Sequence, residues 1–192
     1  MKLLAASLCA LCLLAGATGT ALAFQEYPSL EVAPYVGYLL YDSEMVNYQS
    51  NLAYGIRLDL RTMAALGFQF HYSRTTATAD LPGQPFVDAD NFVERIQLNL
   101  TRDLFILRGT FIGLYAGGGT FNRRFEGIYT NDYSAQAGLT ARRNLFDWLY
   151  LRADAGWTGA FLKDPDPADP YYERTLTHHF EGALTLSFLL DN

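Results

Sequence analysis

The strongest constraint on the fold of this chain is an alternation of apolar and polar residues with a period of two. It is clearest in 51–61, where large apolar side chains occupy one parity and every charge occupies the other. A period of two indicates β-strands with two different faces. The segments that carry the alternation are 30–41, 51–61, 66–73, 95–101, 107–121, 135–142, 149–157 and 180–188. No segment has the 3.6-residue period of a helix, so the sequence predicts an all-β fold of eight strands.

The connections between these segments alternate in length. The long ones lie at 42–50, 74–90, 122–131 and 161–174, and the short ones at 62, 103–106 and 143–146. Antiparallel strands that close into a membrane barrel give this pattern, because the long loops all emerge at one end. In the fifth segment, the run from Gly117 to Gly119 leaves the facing of the strand ambiguous and indicates a bend or a barrel corner.

The first 23 residues have the pattern of a cleaved signal peptide: Lys2, an apolar run at 3–14, and a small-residue site that ends at Ala23. The apolar run is shorter than the roughly 18 residues that a membrane helix needs. Cys9 and Cys12, the two cysteines of the chain, lie in this segment, so the predicted domain at 24–192 has no disulfide. The net charge of −6 becomes −7 without Lys2, which argues against a nucleic-acid partner.

The alternation also fits a soluble eight-stranded barrel of the lipocalin type, which has its apolar face inside. Three features favour a transmembrane barrel: the export signal without later cysteines, the alternating connections, and aromatic residues near strand ends. Those aromatic residues are Tyr41, Phe70, Tyr72, Trp148, Trp157 and Phe188. The sequence therefore predicts an eight-stranded antiparallel transmembrane β-barrel, with long loops outside the cell and both termini in the periplasm.

The charged parity of such a barrel faces the lumen. The predicted interior charges are Glu31, Arg57, Asp59, Arg61, Arg95, Arg142, Arg152, Asp154 and Glu181. Strand direction places Arg61 and Arg142 near the periplasmic end. It places six of the charges at similar middle depths: Arg57, Asp59, Arg95, Arg152, Asp154 and Glu181. Charges inside a narrow barrel are costly unless they are paired, so we interpret this set as a salt-bridged network that fills the lumen. The alternative is a gate or a selective pore, although eight strands enclose a space just wide enough for side chains.

Four stretches of the chain resemble the small outer-membrane β-barrel proteins. They read VAPYVGY at 32–38, FQFHYS at 68–73, GLYAGGG at 113–119 and LYLRADA at 149–155. The chain is similar there to the transmembrane domain of OmpA, to OmpX and to porin-like outer-membrane barrels. This resemblance covers nearly the whole of 24–192. It implies a barrel fold and a place in the cell outer membrane, and it carries no catalytic motif.

One pair of residues raises the question of enzymatic activity. His71 and Ser73 form a His-x-Ser pair that is similar to the pair of outer-membrane lipid A deacylases. Parity, however, places both side chains inside the barrel instead of toward lipid. A serine nucleophile also needs a base within hydrogen-bond reach and a group that orients the base.

Two sets of residues are candidate metal ligands. His178 and His179 are adjacent on a strand and point to opposite faces, which leaves His71, His179 and Glu181 as the alternative set. The acidic residues of the connection at 163–173 are Asp164, Asp166, Asp169 and Glu173. We interpret that connection as a solvated surface loop stiffened by prolines, with a calcium site as the alternative.

We therefore expect a non-enzymatic outer-membrane protein with an envelope-structural or surface-interaction role through four extracellular loops. The alternatives are a small-solute channel and a lipid A-modifying enzyme. The expected partners are outer-membrane lipid and lipopolysaccharide, the barrel-assembly machinery, and a surface partner at loop residues such as Phe86, Tyr171 and Tyr172. We expect a monomer, no cofactor, no metal and no nucleic acid.

Overall fold

The period-two segments form the wall of one closed antiparallel barrel. The computed structural model describes residues 29–41, 51–62, 66–76, 79–81, 84–86, 92–125, 128–162 and 175–190. The predicted signal peptide at 1–23 lies outside this part. The strands are β1 (Ser29–Leu40), β2 (Asn51–Arg61), β3 (Leu66–Thr76), β4 (Ala79–Leu81), β5 (Gln84–Phe86), β6 (Phe92–Leu107), β7 (Thr110–Phe125), β8 (Ile128–Phe146), β9 (Leu149–Leu162) and β10 (Thr175–Leu190).

Eight of these strands make the barrel, in the order β1-β10-β9-β8-β7-β6-β3-β2, while β4 and β5 form a separate hairpin. Each barrel strand pairs antiparallel with its neighbours, and β1 closes the barrel by pairing with β10. The predicted eight-stranded antiparallel barrel is confirmed.

The register of the strands fixes the tilt and the width of the barrel. Paired residues followed once round the wall from Leu30 lead back to Leu40, ten residues further along β1. Such a stagger corresponds to a strand tilt of about 40°. With strands about 4.8 Å apart, the backbone cylinder has a radius of roughly 8 Å, and side chains fill that interior.

Two of the predicted periplasmic turns are wrong. The predicted turn at 103–106 lies within β6, and the chain reverses at Arg108 and Gly109, whose φ angles of 49° and 78° are both positive. Positive φ at both central residues belongs to the type I′ hairpin turn, so Gly109 sets this turn and Asp103 does not. The predicted turn at 143–146 lies within β8, and the chain reverses at Asp147 and Trp148.

The predicted long loops at 122–131 and 74–90 are also partly wrong. Strand β7 continues to Phe125 and β8 begins at Ile128, and Asn122 pairs with Asn131. A membrane strand needs only about 9–11 residues, so the 19 residues of β8 extend well beyond the apolar band. Water surrounds such an extension, and polar residues on both faces therefore do not exclude a strand. In the second loop, β3 continues to Thr76 and the hairpin of β4 and β5 follows.

The outer wall is apolar and the interior is polar. Leu52, Phe68, Leu98, Leu139 and Leu184 face outward, and each is more than half exposed. Polar side chains of the opposite parity are buried along every barrel strand except β7. The ambiguous facing in β7 is resolved: Gly117 and Gly119 share the inward parity of the buried Tyr115 and Phe121. No helix in the described ranges is long and apolar enough to cross a membrane.

The aromatic residues form rims, with two exceptions to the predicted set. Trp148 stacks between Phe146 and Phe188 at the periplasmic rim, with ring centroids 5.9 and 6.2 Å away. Trp157 stacks on His178 nearer the extracellular rim, at 5.7 Å. Tyr41 instead packs on the buried cluster inside the barrel mouth, and Phe70 lies near the middle of the outer wall in β3.

Candidate functional site

The periplasmic end of the lumen is closed by a ring of four charges, here called the lower ring: Glu31, Arg61, Asp103 and Arg142. Arg61 donates to Glu31 at 2.7 Å and to Asp103 at 2.8 Å. Arg142 donates to Asp103 at 2.8 Å and also to Glu31. The four side chains come from β2, β1, β6 and β8, so the ring joins opposite walls of the barrel. Ser187 on β10 adds a hydrogen bond to Glu31 at 3.0 Å.

A second group of charges, the middle chain, lies above the lower ring and comprises Asp59, Arg152, Asp154 and Arg57. Arg152 donates to Asp59 at 2.5 Å and to Asp154 at 3.0 Å. Arg57 in turn donates to Asp154. Positive and negative groups therefore alternate along the chain, and Gln69 donates a further hydrogen bond to Asp59 at 2.9 Å.

The third group is the upper pair, Arg95 and Glu181, whose charged atoms lie 2.5 Å apart. Tyr35 donates to Glu181 at 3.3 Å, and Arg95 donates to the Ser73 hydroxyl oxygen at 3.0 Å. The Tyr35 ring also contacts the ring of His71, with centroids 4.6 Å apart. These contacts connect the upper pair to the aromatic centre of the lumen.

An apolar cluster, here called the mouth cluster, closes the extracellular side. It consists of Val93, Phe121, Ala160 and Leu162, with Tyr41 packed against it. The ring of His179 stacks on Phe121 at 5.0 Å, and its Nε2 lies 2.9 Å from the Thr177 hydroxyl. Water and solutes that enter from the cell surface meet this cluster before they meet any group of the middle chain.

The buried charges balance. The lower ring, the middle chain and the upper pair together hold five arginines and five carboxylates among the described interior residues. Each of the five arginines is at most 3% exposed. A buried charge without a partner is strongly destabilising, and alternation of sign across strands removes that cost while it fixes the register of the wall.

Several solved membrane barrels have folds similar to this one. A major outer membrane protein from Thermus thermophilus gives a TM-score of 0.55 at 14% identity, over 85% of this chain and 99% of that one. A de novo designed transmembrane β-barrel gives 0.50 at 12% identity, over 86% and 98%. The fold is that of the small outer-membrane β-barrels. At these identities the likeness shows the fold alone.

Neisserial surface protein A is a further barrel of this kind, with a TM-score of 0.49 at 12% identity over 86% of this chain and 97% of that one. No protein-family model matches the sequence, and no curated protein matches it. The apolar outer wall of this chain is what a membrane location requires of such a barrel, and it indicates the outer membrane as the location.

The structure places all nine predicted interior charges inside this outer-membrane barrel. It does not place six of them at one middle depth, because Arg95 and Glu181 form their own pair above the middle chain. Sequence analysis missed Asp103, which is the fifth carboxylate. The signal was present: Asp103 continues the inward parity of Arg95, Gln97, Asn99 and Thr101.

The fold places the candidate catalytic and metal-binding residues in different surroundings. His71 and Ser73 are both 1% exposed and lie inside the barrel, where Ser73 accepts a hydrogen bond from Arg95. His178 points outward and accepts a hydrogen bond from Trp157 at 3.2 Å, whereas His179 points inward. Within the described ranges, no three His, Cys, Asp or Glu side chains come together as a metal site. The acidic connection at 163–173 lies outside those ranges.

Proposed function

We propose that this chain is a non-enzymatic outer-membrane protein with an envelope-structural or surface-interaction role. Its barrel would act as a closed anchor that carries four extracellular connections. One observation carries the proposal: buried charges pair with one another from the lower ring to the upper pair, and the mouth cluster packs above them.

The filled interior argues against the small-solute channel. A path along the axis would have to cross the lower ring, the middle chain, the upper pair and the mouth cluster in turn. Opening any of the three charged groups would leave buried charges without partners, at a cost of several kcal/mol. The backbone radius of roughly 8 Å leaves no second lumen beside them.

The position of His71 and Ser73 argues against a lipid A-modifying enzyme. A glycolipid substrate lies outside the barrel in the membrane, and both side chains are buried within it. The neighbours of Ser73 include the guanidinium of Arg95, which donates to its hydroxyl oxygen. A guanidinium is no general base, so this arrangement supplies nothing to activate the serine.

The extracellular side offers surface for a partner. Tyr129 and Tyr133 on the extension of β8 are 55% and 61% exposed. Arg123 and Asp132 join β7 to β8 in the same region, with an ion pair at 2.9 Å. Exposed tyrosines are the kind of side chain that protein interfaces favour. A partner at Phe86, Tyr171 and Tyr172, and insertion by the barrel-assembly machinery, remain parts of the proposal.

Two assays on refolded protein test the proposed function. Planar bilayer recording should give no stable channel openings, because the lumen is closed. A lipid A deacylation assay should give no product, and Ser73→Ala serves as its matched control. Frequent openings of constant size would replace the anchor with a channel. Deacylation that the wild type performs and Ser73→Ala lacks would replace it with an enzyme.

A further inference from the structure

The outer wall carries few charges, and most of them are grouped at one place. Among the described barrel strands, the outward-facing charged residues are Arg74, Glu94, Arg102, Arg124 and Arg143. Arg74, Glu94 and Arg124 lie on three adjacent strands, β3, β6 and β7, toward their extracellular ends. Arg102 and Arg143 lie toward the opposite rim. Three charges near the extracellular ends of adjacent strands form a cluster, whereas the two at the periplasmic rim do not.

Phe92 lies between the two arginines of this group. The guanidinium carbon of Arg74 sits 3.9 Å from the centroid of the Phe92 ring. Arg124 is the direct cross-strand neighbour of Phe92, and Glu94 is that of Arg74. From two strand spacings and two residue steps, the Cα atoms of the arginines are about 12 Å apart. Two long cationic side chains can therefore meet above one aromatic ring.

The height of Arg74 matches the headgroup region of the outer leaflet, and Arg124 lies further toward the cell surface. Arg74 lies eight residues above Leu66 on β3, which is about 20 Å along the membrane normal at a 40° tilt. Arg102 is the cross-strand neighbour of Leu66 and so marks the periplasmic rim. Tyr54 stands beside Arg74 and is 54% exposed, as interfacial tyrosines are.

We propose that Arg74 and Arg124 bind the phosphate of an outer-leaflet glycolipid of the lipid A class, with Phe92 as the platform. A guanidinium stacked on an aromatic ring still presents its planar fork of N–H donors at its edge, where a phosphate accepts two parallel hydrogen bonds. A charge at the rim also costs far less than one at the midplane. Glu94 opposes the anion, so the site has one net positive charge.

This inference rests on the proposed function only for the place of the barrel in the outer membrane. The test uses the refolded full chain in micelles with EDTA, and the probe is purified diphosphoryl lipid A. Binding is measured by native mass spectrometry on protein that shows the folded gel band. We expect Arg74→Gln with Arg124→Gln to weaken binding about tenfold per arginine, which is what the loss of one hydrogen bond to a charged group represents.

Matched variants separate a phosphate site from general attraction. Arg102→Gln with Arg143→Gln removes the same charge at the periplasmic rim and should leave binding within about twofold of the wild type. Glu94→Gln removes a repelling charge and should tighten binding. Fully dephosphorylated lipid A should bind the wild type as weakly as the Arg74, Arg124 variant binds the diphosphoryl form.

Unchanged binding in the Arg74, Arg124 variant would overturn the inference, as would an equal loss in the Arg102, Arg143 variant. Weaker binding in Glu94→Gln would also overturn it, because a direct guanidinium–phosphate contact requires the opposite sign. Channel openings or deacylation would refute the proposed function and leave this binding result standing, so the two failures are distinguishable.

Discussion

At the scale of single residues, the interior is held by partners that lie far apart in the sequence. Arg57 and Asp154 are 97 positions apart, and Arg142 and Glu31 are 111 apart. Each pair therefore tests whether distant strands have met in the correct register. Among the described residues, Arg57 forms an ion pair with one carboxylate, that of Asp154. Arg152 forms ion pairs with two, those of Asp154 and Asp59.

This difference predicts which second substitution recovers more of the stability that is lost when Asp154 is removed. Asp154→Ala should lower the free energy of unfolding by about 3–5 kcal/mol, because it leaves Arg57 buried without its partner. Arg57→Ala in the same chain should recover part of that loss, and Arg152→Ala should recover less, because Asp59 then loses its partner. Urea unfolding followed by the folded gel band gives the values.

Asp147→Ala, at an exposed turn, is the control for the loss of one carboxylate and should change stability by less than about 0.5 kcal/mol. Equal stability of Asp154→Ala and Asp147→Ala would mean that the middle chain does not hold the barrel together.

At the scale of strands, the faces were predictable and the depths were not. Parity along one strand tells which side chains turn inward, and it places Arg57, Arg152 and Glu181 correctly. The depth of a residue relative to the opposite wall depends on the ten-residue stagger of the closed barrel, which no single strand contains. Asp103 was missed for a different reason: aspartate favours turns, and that tendency outweighed the parity of its own strand.

Strands β7, β8 and β9 meet at one buried tyrosine. Tyr115, 2% exposed, lies across Gly138 and Gly156, where it occupies the space that a Cβ atom at either glycine would fill. Gly156→Ala should therefore lower the free energy of unfolding by about 1–3 kcal/mol through overpacking. Tyr115→Phe removes the oxygen nearest to position 156, so the double variant should regain most of the loss.

Gly182→Ala is the matched control for that prediction, since no atom lies within 4 Å of the Cβ it would add. Thermal unfolding of the wild type, Gly156→Ala, Tyr115→Phe, the double variant and Gly182→Ala measures these differences. If Gly156→Ala loses stability and Tyr115→Phe does not restore it, the side chain of Tyr115 does not pack against Gly156.

At the scale of the whole molecule, the distribution of polarity is inverted relative to a soluble barrel. Leu98, midway along β6 between the outward-facing Glu94 and Arg102, is 67% exposed, while the adjacent Gln97 is fully buried. A soluble lipocalin-type barrel would reverse these environments. An interior of paired charges avoids the cost of isolated buried ions, and an apolar wall suits a surrounding of lipid.

The free-energy cost of a charge on the outer wall should therefore depend on its depth in the membrane. Leu98→Arg should cost about 2–4 kcal/mol, the penalty for arginine near the midplane of an outer-membrane barrel. Tyr129→Arg, on the extension beyond the apolar band, should be tolerated. The yield of folded protein in vesicles and its urea midpoint measure both, and equal tolerance would place the wall in water.

The most direct test of the account is the accessibility of nitroxide labels at successive positions of β6 in lipid vesicles. Residues 24–192 contain no cysteine, so single-cysteine variants at 96, 97, 98, 99 and 100 label cleanly. Labels at 96, 98 and 100 should be reached by oxygen and not by a water-soluble nickel chelate. Labels at 97 and 99 should be reached by neither, because a packed lumen excludes both. Access of the chelate to 97 and 99 would contradict the closed lumen, and its access to 96, 98 and 100 would contradict the membrane-facing wall.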